Sequence, residues 1–203
     1  MLHMKKIKRR SGYYRQMNKN KKQPQSSLGR FMNFPSIIHG TVKISHKTSN
    51  TRLQRIIVEV LRDLNGYKEP QVLSVASLSG THKGEVGFEV GVADGLDFQY
   101  MDVETFTELV KLLKSRKAFK VLDVLIIVLY HYTKNGKKIP LNFDHHLLRF
   151  TFKKGELNAY LFHMKGIRRM PLDDLLHQLI ERIKEKMAKN RLKTFYIEYF
   201  RTL

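Results

Sequence analysis

The chain contains no cysteine and no tryptophan. Without thiols there is no disulfide framework, no thiol nucleophile, no cysteine zinc site and no iron–sulfur cluster. That absence fits an intracellular, cytoplasmic setting. Long apolar runs are missing too. The longest, Val121 to Tyr132, holds Asp123 and is too short to cross a bilayer as a helix. The basic N-terminus is not followed by the apolar stretch of a secretion signal, so neither secretion nor membrane insertion is expected. The most informative absence is a charge sign: no Asp or Glu occurs before Glu59.

What is present is cationic. The 203 residues include 38 Lys and Arg against 18 Asp and Glu, a formal net charge of +20. Fourteen of those cations precede Glu59: Lys5, Lys6, Lys8, Arg9, Arg10, Arg15, Lys19, Lys21, Lys22, Arg30, Lys43, Lys47, Arg52 and Arg55. The remaining 24 face all 18 acids, so Glu59 to Leu203 carries a net charge of only +6. Hydrophobic residues make up 42%, enough for a buried core. A mildly basic body thus carries a strongly basic head.

Residues 1–34 show neither a helical nor an alternating apolar stripe, and they read as an irregular extension without a core of its own. Tyr13 and Tyr14 lie within it beside Arg15, with Phe31 and Phe34 near its base. Aromatic rings among cations can stack on unpaired bases while the cations meet phosphates.

From Pro35 onward the pattern is that of a folded body. Ile38, Val42 and Ile44 alternate with polar residues as in a strand. Leu53, Ile56, Ile57, Val60, Leu61 and Leu64 recur at helical spacing over 51–65, with Thr51 and Gln54 as a capping box and Gly66 as the stop. Gln71–Leu78 and Glu85–Ala93 read as a hairpin, followed by a short strand over 96–101. Asp102 caps a second helix with Val103, Phe106, Leu109, Val110 and Leu113 inside. Val121–Tyr132 is β-branched and aromatic, Lys134-Asn135-Gly136-Lys137 signals a turn, and Leu147–Lys153 with Leu157–Met164 forms another hairpin. Pro171 opens a third helix with acids in its first turn and lysines in its last, and 194–200 is a terminal strand. Hairpins dominate. The expected fold is α+β: a mainly antiparallel sheet covered by three helices, preceded by the long basic N-terminal extension. Residues 35–203 form one domain, with two interleaved subdomains of about 35–118 and 119–203 as the other division.

Candidate chemistry is sparse. Asp144-His145-His146 resembles the DHH signature of a phosphoesterase family, but the further separate aspartate motifs of that family are missing. Adjacent strand residues point to opposite faces, so His145 and His146 would not chelate one ion together. His39 and His46 likewise fall on opposite faces, and His131, His163 and His177 sit in apolar surroundings that suit partly buried histidines. No zincin, nucleophile-elbow or P-loop pattern occurs. The expectation is no catalytic residue, no metal, no cofactor and no small-molecule substrate.

Nor is there a helix-turn-helix pair, an RRM octapeptide or a KH loop. A long irregular basic extension on a compact α+β body resembles the design of ribosomal and ribosome-associated proteins, whose tails thread among rRNA phosphates. That resemblance implies RNA as partner, rRNA within a ribosomal subunit above all, and a translation, dormancy or assembly factor or a ribosomal protein. The binding residues expected are Lys5, Lys6, Lys8, Arg9, Arg10, Tyr13, Tyr14, Arg15, Lys19, Lys21, Lys22 and Arg30. Arg52, Arg55, Lys165, Arg168 and Arg169 would form a second contact patch on the body. Two alternatives stay open: a DNA-binding chromatin-type protein, and an RNA-processing enzyme using Asp144, His145 and His146. An exposed sheet face or edge strand would also support a homodimer.

Overall fold

The computed structural model describes residues 27–74, 81–115 and 118–203, with the side chains of 72–74, 81 and 82 excepted. Most of the basic extension, including Tyr13 and Tyr14, and the turn of the first hairpin lie outside the described residues. The element order is β1 (Gly40–His46), α1 (Asn50–Leu64), β2 (Lys68–Ser74), β3 (Thr81–Asp94), β4 (Asp97–Tyr100), α2 (Val103–Lys114), β5 (Val121–Lys134), β6 (Lys137–Lys153), β7 (Glu156–Lys165), α3 (Leu172–Lys189) and β8 (Phe195–Thr202). All eight strands join one antiparallel sheet in the order β2-β3-β5-β6-β7-β1-β8, with β4 pairing β3. The fold is therefore α+β, an antiparallel sheet with three helices.

The strand period of two divides this sheet into two faces. Val86, Phe88, Val90, Leu122, Val124, Ile126, Leu148, Phe150, Leu157, Leu161, Val42 and Ile44 point one way and are buried with the apolar stripes of α1, α2 and α3. Each helix is amphipathic because its apolar residues recur every three or four positions, as Leu53, Ile56, Ile57, Val60, Leu61 and Leu64 do in α1. The opposite face carries a smaller cluster of Phe31, Ala93, Leu125, Ile127 and Leu147.

Several local expectations are replaced by other solutions. α1 starts at Asn50, one residue before the expected capping box, and its N-cap Ser49 makes no side-chain cap bond. Gln54 turns inward instead: its Nε2 donates to Phe119 O at 2.7 Å and its Oε1 accepts from Phe119 N at 2.9 Å. The side chain thereby completes the backbone of the segment leading into β5. Asp102 does cap α2, accepting from Thr105 N at 2.8 Å, but Val103 in the first turn is exposed rather than inside. His177 is exposed as well, its ring against Phe200.

β6 begins at Lys137, ten residues before the strand expected at Leu147. Its first half is only partly covered: Ile139 and Leu141 are half-buried, Leu141 against the helix-side core, and their neighbours are exposed. The turn into it has Asn135 and Gly136 both at positive φ (51° and 72°), the type I′ pairing that matches strand twist.

The end of the expected extension belongs to the body. Gly29 N donates to Ala93 O at 2.7 Å and Gly29 O accepts from Asp123 N at 2.8 Å, so residues 28–31 fill a notch between the end of β3 and the start of β5. Leu28 buries on the helix side and Phe31 on the other. Gly29 has φ +92°, and a Cβ there would press on the Phe119 ring at 3.0 Å. Phe31 and Phe34, expected among the extension's rings, are packed into the body.

Candidate nucleic-acid interface

Among the described residues the interface must be built from cations of the body. The strand ends at one pole of the sheet bring together segments far apart in sequence. His46 N donates to Gly155 O at 2.9 Å, so the end of β1 meets the β6–β7 turn. Thr48 Oγ1 donates to Lys193 O at 3.4 Å, joining the start of α1 to the segment before β8. Phe152 N donates to Lys120 O at 3.1 Å, which places the start of β5 alongside. Lys47, Arg52, Lys120, Lys153, Lys154, Lys189, Arg191 and Lys193 are all exposed on these segments. Across β5, β6, β7, β1 and β8 the four strand spacings of ~4.8 Å amount to about 19 Å. Glu156 lies at the rim, paired with Lys43 at 3.2 Å and Lys153 at 3.6 Å.

The described chain begins at this same pole. Ser27 Oγ donates to Asp94 Oδ1 at the end of β3, and Arg30 is exposed there. The basic extension thus joins the body at the notch between β3 and β5, beside Lys120.

Of the body residues expected from sequence, Arg52 belongs to this pole. Arg55 follows one turn later, exposed but with its Nε 3.0 Å from Glu59 Oε1. Lys165 closes β7, and Arg168 and Arg169 lie in the loop before α3, at the end of that helix opposite the pole. Lys184, near the end of α3, lies 5.9 Å over the ring of Phe195, which opens β8 at the pole, and this fixes the direction of the helix. Its 18 residues separate the two basic groups by about 27 Å. The single second patch is therefore two patches, and only one adjoins the extension.

The far loop is held by Asp144. Its Oδ1 accepts from Arg168 N at 3.0 Å, and its Oδ2 accepts from Arg169 N at 3.0 Å and Tyr130 Oη at 2.7 Å. Burial raises the Asp144 pKa, but these donors outweigh it and hold the carboxyl below its ordinary value. Tyr130 Oη in turn accepts from Met170 N at 2.8 Å. Burial, reinforced by the Asp144 carboxylate, drives the Tyr130 pKa upward. Asp144 and His146 face the helix side of β6 and are fully buried, whereas His145 turns to the other side against Phe143. The His146 ring stands 5.1 Å from that of His163, and burial pushes its pKa down to about 4. A carboxylate with both oxygens taken by loop backbone and a phenol acts as a loop anchor. Among the described residues no group of three His, Asp or Glu side chains is arranged to hold a metal ion.

The sequence alone does not signal Lys47, Lys120, Lys153, Lys154, Lys189, Arg191 or Lys193 as one set. They come from four separate stretches and meet only through the strand order. No known family model matches the chain, and no curated protein and no solved structure aligns with it.

Proposed function

We propose that this protein binds RNA, with rRNA in a ribosomal subunit as the target, as a translation, dormancy or assembly factor or as a ribosomal protein. The observation that carries this is charge segregation: fourteen basic residues and no acid before Glu59, on a chain that joins the body at a pole of further exposed cations. Phosphates at the extension and along the pole would release counterions, giving salt-sensitive and largely sequence-independent affinity. The body then sets orientation and presents its remaining surface to protein neighbours.

The test is crosslinking to nucleic acid in cells followed by sequencing. It compares the unaltered chain with one in which the cations between Lys5 and Lys22 are changed to Gln. Recovery of rRNA at a few sites, lost in the neutralised chain, is the expected result. Duplex DNA as the main recovered species would assign the protein to chromatin instead.

A further inference from the structure

The sheet face opposite the helices is covered unevenly. Phe31 and Phe34 lie over its β3–β6 portion. Phe162 and Met164 of β7 pack against that same cluster, whereas among the described residues the β1–β8 portion has no such cover. Register places Tyr160 and Arg201 on either side of Thr41, Tyr199 across from Lys43, and Tyr196 across from Ser45. These lie on the face opposite Val42 and Ile44, which are buried toward the helices. Tyr196 is 70% exposed and Tyr199 46%.

A bulge at Glu198 brings both rings to this face, across from Lys43 and Ser45, which lie two residues or about 7 Å apart along β1. Lys43 Nζ lies 3.2 Å from Glu156 and 3.0 Å from Glu198, so two carboxylates neutralise the cation between the rings. Two carboxylates would turn phosphates away from the ledge and leave its rings to the uncharged faces of bases. Just beyond Tyr196 lie the exposed cations Lys193 and Lys47 of the pole. An aromatic ledge beside a cationic border has the division of labour of a single-strand binding groove, with rings for bases and cations for backbone.

We propose that Tyr196 and Tyr199 stack unpaired bases, so that the RNA segment on this body is single-stranded. The inference rests on the RNA reading above and adds the form of RNA. Base faces inside a duplex are covered by their neighbours and offer nothing to either ring.

The experiment measures full-chain affinity for an unstructured 12-nucleotide pyrimidine RNA and for an RNA duplex of equal length. It uses the unaltered protein, a Tyr196→Ala/Tyr199→Ala variant and a Tyr196→Phe/Tyr199→Phe variant. The alanine pair should weaken single-strand binding by about tenfold or more, leave duplex binding within twofold, and leave the melting temperature unchanged. The phenylalanine pair keeps the rings and should bind as the unaltered protein does. Equal losses on both RNAs, or no loss on either, would overturn the inference while leaving RNA binding intact. A change in sedimentation with the alanine pair would overturn it in favour of β8 as an interface between copies. If the unaltered protein binds neither RNA at low salt, it is the RNA reading itself that fails.

Discussion

Asp123 and Arg149 stand opposite each other on β5 and β6 and meet through two contacts of 2.7 Å, Nε to Oδ1 and Nη2 to Oδ2. The pair also grips the entering chain. Asp123 Oδ2 accepts from Phe31 N at 2.8 Å, Arg149 Nη2 donates to Phe31 O at 3.2 Å, and the guanidinium covers the Phe34 ring at 4.0 Å. One ion pair thus fastens the segment through which the basic extension joins the sheet. Arg149→Met would leave a fully buried carboxylate without its cation, at a cost of about 3 kcal/mol. Urea unfolding measures this. Adding Asp123→Leu to Arg149→Met should recover part of the loss, because the uncompensated charge is then gone.

Gln54 performs a similar office on the helix side. Its amide is fully buried and satisfies both polar groups of the Phe119 backbone. Gln54→Leu keeps the volume and removes both bonds, leaving an N–H and a C=O without partners. The expected loss is about 2 kcal/mol, seen as a lower urea midpoint with an unchanged slope.

His146 makes stability depend on pH. Its folded pKa is depressed to about 4, so the folded chain takes up no proton at this site over a range where the unfolded chain does. Its contribution is complete above the ordinary histidine pKa of about 6.5 and is lost as pH falls from there to about 4. A shift of that size corresponds to a difference on the order of 3 kcal/mol. The difference in unfolding free energy between the unaltered chain and His146→Leu, followed from pH 7 to pH 4, should move in favour of the variant. A pH-independent difference would show that the buried ring titrates normally.

The two basic groups of the body should behave differently. Lys153→Gln, Lys154→Gln and Lys193→Gln together should weaken RNA binding and lower its salt slope by about two units at ~0.7 per phosphate contact on a single strand. Lys165→Gln with Arg168→Gln, at the opposite end of α3, should change both much less.

Those parts of the fold governed by local periodicity could be read from the chain. The stripes of α1 and α3, the Asp102 cap and the Asn135–Gly136 turn are set by neighbours within a few residues. What could not be read depends on distant partners. Gln54 looks like a capping residue until Phe119 is beside it, and Asp123 looks like an isolated charge in an apolar run until Arg149 and Phe31 meet it. The first half of β6 alternates weakly, with Ile139 and Leu141 only half-buried and Pro140 interrupting the run, and pairs with the end of β5 across a bulge. The cationic pole follows the same rule. The early cations are plain in the sequence, whereas the pole exists only because β1 and β6 end where β5, β7 and β8 begin. Arg52 and Arg168 look equivalent as letters, yet Arg52 opens α1 at the pole and Arg168 lies in the loop after β7 at the other end of the sheet.

Under the proposed RNA binding, the cations concentrated at one end of the chain receive phosphates, which makes RNA affinity steeply salt-dependent. That dependence is measured for the full chain and for the same chain with its cations from Lys5 to Lys22 changed to Gln. With on the order of ten phosphates contacted, the unaltered protein should lose affinity with a log–log slope near 7 on single-stranded RNA. The neutralised chain should lose most of that slope and retain only the share supplied by the pole. Equal slopes and equal affinities for the two chains would contradict the account.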